Sequence, residues 1–141
     1  MFLVEHFDLD TSRIVPSSGI TGYKFKIWYY GPYSSDLKED TDNLVKEGVL
    51  NEDVKYLDDF LYTDESPKRL YLYSPKTKIR IENKLDRQTI QKIDKILEKF
   101  GTQSPYELEK TVSSLLNLDP LKKLEVWGKS LDEYISSSNT N

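Results

Sequence analysis

Few side chains in this 141-residue sequence could carry chemistry. It contains one histidine, His6, and no cysteine, which excludes a histidine-based catalytic triad, a thiol nucleophile and a multi-histidine or cysteine metal site. Adjacent carboxylates such as Asp58 and Asp59 are ordinary surface residues in a chain with 24 Asp and Glu. The sequence has no glycine-rich phosphate-binding loop. We therefore predict that the protein is not an enzyme and needs no cofactor or metal.

The charges are unevenly distributed along the chain. Residues 1–67 have a balance of −8, residues 68–99 a balance of +6, and the remainder −2. A basic segment interleaved with tyrosines could contact a nucleic-acid backbone. The alternative is a solvated surface whose basic residues pair with nearby carboxylates. The candidate nucleic-acid residues are Lys68, Arg69, Lys76, Lys78 and Arg80.

The clearest local pattern lies between residues 23 and 50. Tyr23, Phe25, Ile27 and Tyr29 alternate with polar residues and Trp28, which predicts a half-buried strand. Gly31-Pro32 is then expected to end the strand, because proline lacks the N–H that a strand ladder needs. A helix follows, with Ser34 or Ser35 as its cap and Gly48 as its stop.

The remaining elements have weaker or shorter signals. Residues 54–74 predict a β-hairpin with its tip at residues 64–67, and alternation at Ile79 and Ile81 allows a third short strand. The last third is predicted to be helical, because caps, prolines and apolar spacing agree there. The predicted helices span residues 86–100, 105–115 and 120–134. Asp86 is expected to cap the first, and Ser104 and Glu107 to form a capping box on the second. The expected apolar positions include Leu97 in the first helix and Leu121, Leu124, Trp127 and Leu131 in the last, with Gly128 as a weak point.

This element order predicts the fold class. A helix, a strand, a helix and a hairpin followed by further helices form the order of an α+β, mostly helical, winged-helix-like core with a β-hairpin wing and a C-terminal helical extension. We expect one domain over residues 1–135, with the core in 1–82 and the extension in 83–135, and a disordered tail in 136–141.

The N-terminal residues MFLVEHF predict the end of a short helix. They include no basic leader and no long apolar run, so we expect a cytoplasmic protein without a membrane span. A helix that begins at Met1 lacks a residue to cap it, which predicts either a short frayed helix or a longer natural N-terminus.

Residues 25–50, FKIWYYGPYSSDLKEDTDNLVKEGVL, resemble the YwgA-like proteins and the related SocA-like Panacea domains. The resemblance rests on an aromatic strand, the YGPYS turn and a leucine-bearing helix that ends in GVL. It implies a compact winged-helix-like fold and a role as a protein-binding antitoxin or proteolysis adaptor. The matching positions are Tyr30, Gly31, Pro32, Tyr33 and Ser34, whereas the first helix is shorter here than in the family.

These observations favour a non-enzymatic protein-interaction module, antitoxin-like or regulatory. Residues 36–47 have a charge balance of −3, so this helix would be repelled by the phosphates of a DNA groove and suits a protein partner better. The partner would be a toxin or a second copy of the chain. The alternative function is a winged-helix transcriptional regulator that contacts DNA through its basic wing. The candidate partner-binding residues are Trp28, Tyr30, Tyr33, Asp36, Glu39 and Asp40.

Overall fold

The structure, a computed structural model, describes residues 1–57, 68–76 and 84–138. The chain forms two compact units: the first joins Met1–Asp36 to Glu82–Asn141, and the second is Leu37–Ile81. The second unit is thus inserted into the sequence of the first. Three predicted features lie outside the described residues, namely the acidic pair at 58 and 59, the hairpin tip at 64–67 and the short strand at 79–81.

The first unit begins with helix α1 (Phe2–His6), whose residues Leu3 to His6 are all buried. Strands β1 (Phe7–Asp8) and β2 (Arg13–Ile14) follow as an antiparallel pair. The α1 helix was predicted, but the sequence analysis missed β2, which is only two residues long. Such a short pair leaves no detectable alternation in the sequence.

The aromatic segment forms a hairpin rather than a single strand. Strand β3 (Lys26–Trp28) pairs antiparallel with strand β4 (Gly31–Tyr33), and Tyr29 and Tyr30 connect them. Gly31-Pro32 was predicted to end the strand, but β3 already ends at Trp28, and Gly31 and Pro32 belong to the next strand. Gly31 follows the two connecting tyrosines directly and has a φ of 111°, a conformation that glycine adopts without steric cost.

Helix α2 (Ser35–Lys46) follows β4 and leads into the second unit. The predicted cap, Ser34, is buried and directly precedes it. The predicted stop is also correct: Gly48 has a φ of 77°, and its N–H and that of Val49 donate to the last carbonyls of the helix. Beyond Gly48, strands β5 (Leu50–Leu57) and β6 (Lys68–Pro75) pair antiparallel along their full length.

Two well-capped helices continue the first unit. In helix α3 (Arg87–Phe100), the Asp86 carboxylate accepts a hydrogen bond from the Thr89 N–H, as predicted. In helix α4 (Pro105–Leu115), Ser104 and Glu107 form the predicted reciprocal capping box.

The buried face of α3 differs from the predicted one by one residue. Leu97 was predicted to be buried, but it is 59% exposed, whereas its neighbour Ile96 is buried. Ile96 and Phe100 are four residues apart and lie on one helical face. The Phe100 ring meets the ring of Phe7 edge-on at 5.1 Å, which fixes that face toward the N-terminal segment.

The last predicted helix is two helices, α5 (Pro120–Glu125) and α6 (Leu131–Ser138). Gly128, predicted as a weak point, has a φ of 74° and separates them. Leu121 and Leu124, predicted to be apolar contacts, are 76% and 69% exposed, and the buried residue is Val126. Helix α6 includes residues 136–138, which the sequence assigned to the tail.

The C-terminal segment completes the first unit by pairing with β3. The Ile27 N–H donates to the Lys129 carbonyl at 3.0 Å, and the Leu131 N–H donates to the Phe25 carbonyl at 2.9 Å. Strand β3 therefore lies between β4 and this segment. Among the residues whose burial the structure describes, the buried apolar ones all belong to the first unit: Leu3, Val4, Phe7, Phe25, Ile27, Ile96, Phe100, Val112, Leu116, Leu118, Val126, Leu131, Tyr134 and Ile135.

The architecture is mixed α+β, as predicted, with small antiparallel sheets. The named strands of the described segments form three separate two-stranded sheets. The described part of the second unit consists of most of helix α2 and the β5–β6 hairpin. Among its residues whose burial is described, none is buried. No helix in the described part of the chain is long and apolar enough to cross a bilayer.

Candidate interaction surface

The β3–β4 hairpin presents two exposed tyrosines at its turn. Tyr29 is 64% exposed and Tyr30 is 65% exposed. They occupy the two loop positions between Trp28 and Gly31, which are paired across the hairpin. A two-residue loop directs both side chains away from the strand ladder, so the turn places two large rings in solvent.

Four aromatic rings next to this turn form what we call the aromatic cluster: Trp28, Tyr29, Tyr33 and Trp127. The Trp28 ring lies 5.0 Å from the Trp127 ring and 6.3 Å from the Tyr33 ring, measured between centroids. The Tyr29 ring meets Trp127 edge-on at 4.5 Å. Stacked and edge-on pairs at these distances are mutually attractive, so the rings hold each other in place.

Two lysines contribute to the order of the cluster. Lys26 Nζ lies 4.1 Å from the centroid of the Trp28 ring, a favourable cation–π position. Lys123 Nζ donates to the Tyr29 carbonyl at 2.7 Å and lies 3.9 Å from a Glu109 carboxylate oxygen. The turn is thus tied to α4 and α5, and the rings of the aromatic cluster have less side-chain freedom to lose when a partner binds.

The predicted partner-binding residues fall in both units. Trp28 and Tyr33 are half-buried in the aromatic cluster, and Tyr30 is exposed beside it. Asp36 is exposed at the start of α2. The two remaining carboxylates, Glu39 and Asp40, are exposed on α2 within the second unit.

The sequence did not point to four residues of this surface: Lys26, Tyr29, Lys123 and Trp127. Alternation placed Tyr29 on the buried face, but β3 ends at Trp28, so the alternation does not extend to the turn. Trp127 was predicted as a core residue of a continuous helix, yet it follows α5 and packs on the hairpin. The sequence did contain a signal for this position, because Gly128 interrupts the predicted helix directly after Trp127.

The predicted nucleic-acid residues are only partly described. Arg69 lies on β6 with its guanidinium carbon 5.8 Å from the Tyr56 ring centroid, and a hydrogen bond with Tyr71 raises its pKa. Lys76 is exposed directly after β6. For Lys68 only the strand backbone is described, and Lys78 and Arg80 lie outside the described residues.

Glu5 is the buried acid among the described residues of the first unit, and its carboxylate is held by hydrogen bonds within the fold. Burial raises the pKa of Glu5, but hydrogen bonds outweigh it and hold the pKa at about 2. The donors are the Ser17 and Thr21 hydroxyls and the Gly19 and Thr21 amides. Each carboxylate oxygen thus accepts two hydrogen bonds, which leaves little capacity for a substrate.

The neighbouring His6 also makes contacts within the fold. Its Nδ1 lies 2.9 Å from the Val15 carbonyl, and its ring stacks on Phe2 with centroids 5.3 Å apart. Asp132 is 4.0 Å from the same nitrogen and accepts a hydrogen bond from the Ser17 amide. These contacts fold the loop between β2 and β3 against α1. Among the described residues, no group of three potential metal ligands occurs.

Comparison with known proteins assigns the family. The family model described as antitoxin SocA-like, Panacea domain, matches residues 1–114. The chain belongs to the SocA-like antitoxin family. No curated protein and no solved structure matches it. The Panacea match includes the β3–β4 hairpin and ends within α4, so Lys123 and Trp127 come from the segment that follows the matched range.

Proposed function

We propose that this Panacea domain is a non-enzymatic, antitoxin-like module that binds a protein partner, with a toxin as the expected partner. The observation that carries the proposal is the ordered aromatic surface at the β3–β4 turn. Exposed rigid aromatics are favoured anchors in protein interfaces, because they supply a large contact area at a low entropic cost. Membership of the antitoxin-like family supports the same role.

The acidic face of α2 provides a second, independent contact in this proposal. Asp36, Glu39 and Asp40 are exposed on adjacent helical positions, so they would attract a basic surface of the partner. Such charges mainly raise the association rate and make it depend on salt. We also propose that α2 and the β5–β6 hairpin correspond to the helix and wing of a winged-helix fold.

Binding to the product of the neighbouring gene, where the proposal expects a toxin, would test the proposal directly. The full chain is titrated against the purified toxin, and Tyr30→Ala is expected to weaken the affinity by about tenfold or more, as is typical of an aromatic anchor. Leu97→Ala is the matched control, since Leu97 is a similarly exposed apolar residue on α3 and should leave the affinity unchanged.

A charge-reversed α2 tests the second contact separately. Glu39→Lys together with Asp40→Lys should slow association and reduce its dependence on salt, whereas Tyr30→Ala should mainly speed dissociation. Absence of toxin binding combined with tight binding to duplex DNA would contradict the proposal and support the regulator alternative.

A further inference from the structure

Strand β5 has an outer edge that pairs with no other strand in the described part of the chain. It is eight residues long, and two of its apolar side chains are exposed, Val54 by 39% and Tyr56 by 61%. The free N–H and C=O groups of such an edge can pair with another strand. The question is which strand fits.

The side chains of β5 alternate between two faces. Val54 lies opposite Tyr71, whereas Asp53 and Lys55 lie opposite Leu72 and Leu70. Asp53 and Lys55 therefore share one face, and Val54 occupies the other. Both charged residues are exposed, and neither forms an ion pair with another described residue.

We propose that the partner of this edge is β5 of a second copy of the chain, which forms a two-fold dimer with a continuous four-stranded antiparallel sheet. The two-fold axis passes beside Val54, so that Val54 lies opposite Val54 of the partner subunit. In this register Lys55 lies opposite Asp53 of the partner subunit, and the symmetry repeats this pair. This inference goes beyond the proposed function, because it concerns a different surface and partner.

The charges select this register against its neighbours. An axis beside Asp53 would place two aspartates directly opposite each other, and an axis beside Lys55 would do the same with two lysines. Like charges at opposed positions destabilise a sheet, and opposite charges stabilise it. The order Asp-Val-Lys is therefore self-complementary in only one of these three symmetric arrangements.

Helix α2 of the same unit contacts the hairpin on the face that carries Tyr71. Lys38 of α2 lies 5.7 Å from the Tyr71 ring centroid, and Tyr71 belongs to β6. Glu52 on β5 forms a hydrogen bond with Tyr73, which adds to burial in raising the Tyr73 pKa. This bond links the side chains of the two strands and does not use the outer backbone of β5.

Sedimentation velocity of the full chain over a range of concentrations would test the dimer. Wild type is expected to dimerise reversibly. Asp53→Lys alone puts two lysines, and Lys55→Asp alone two aspartates, at each of the two symmetry-related pairs formed by positions 53 and 55. Each variant should therefore raise the dimer dissociation constant by at least about tenfold. An equimolar mixture of the two variants should restore dimerisation, because every opposed pair is then of opposite sign.

Matched controls carry the same charge changes elsewhere. Asp94→Lys and Lys95→Asp alter exposed positions of α3 and should dimerise like wild type. Amide hydrogen exchange needs no variant and should slow in β5 as the concentration of wild type rises. A wild type that stays monomeric, single variants that dimerise normally, a mixture that stays monomeric, or concentration-independent exchange in β5 would each overturn the proposal.

Discussion

The Glu5 carboxylate binds Thr21 twice, through the backbone N–H and through the hydroxyl, each 2.6 Å from Oε2. The other oxygen, Oε1, accepts hydrogen bonds from Ser17 and Gly19. One fully buried side chain therefore fixes the whole loop between residues 17 and 21. The loop carries no core residue of its own, so its conformation depends on this carboxylate together with the hydrogen bond from the Ser17 N–H to Asp132.

Glu5→Gln should destabilise the first unit by about 1–3 kcal/mol, the usual cost of a buried polar group that loses its partner. Whichever way the amide is oriented, its NH₂ group faces a backbone N–H, from Gly19 or from Thr21. Urea unfolding followed by tryptophan fluorescence measures the change. Glu98→Gln on the exposed side of α3 is the control, and equal stabilities for the two variants would contradict this role of Glu5.

The same carboxylate predicts a pH dependence. Its pKa is lowered from 4.5 to about 2 in the folded protein, so its contribution to stability is fully present above pH 4.5 and is lost as the pH falls toward 2. The free energy of unfolding of wild type should therefore decrease more steeply than that of Glu5→Gln between about pH 5 and about pH 3. Parallel pH profiles would show that Glu5 is not the group that titrates.

Leu131 tests whether the segment after the family match belongs to the folded core. It is fully buried, and Leu131→Ala should cost about 2–5 kcal/mol. Leu121→Ala changes a 76% exposed residue and should stay within about 0.5 kcal/mol of wild type. Truncation after Leu118 should lower the melting temperature sharply, whereas unchanged melting would show that the last helices are an appendage.

The capping box of α4 gives a smaller, local prediction. Ser104→Ala removes the acceptor of the Glu107 N–H, 3.2 Å away, and should cost about 1 kcal/mol. Ser114→Ala, at an exposed position inside the same helix, should be neutral or slightly stabilising, because alanine is the better helix former. Thermal unfolding by circular dichroism distinguishes the two, and equal effects would argue against the box.

Local signals in the sequence were sufficient to predict where several helices begin or end. Asp86, Ser104 and Gly48 act on backbone groups within four residues, so their roles do not depend on the rest of the chain. The contact between the Trp127 and Tyr29 rings could not be predicted from such local signals. Their packing depends on contact between segments about one hundred residues apart, and no local periodicity reports such a contact.

The candidate surface was predicted in part for the same reason. Composition and turn chemistry pointed to Trp28, Tyr30 and Tyr33, because all three lie within three residues of Gly31. Lys123 and Trp127 come from a distant segment and were missed. Glu5 was missed because a single acid in an apolar helix resembles a surface residue until its donors are known.

The pairing of β3 with the segment around Lys129 also has a consequence for synthesis of the protein. Phe25 and Ile27 leave the ribosome long before Leu131 is made, and so does the whole second unit. The β5–β6 hairpin and α2 can therefore form while the protein is still being translated. The first unit has to wait for its last residues, and until then one edge of β3 and the apolar side chains beside it remain available to chaperones.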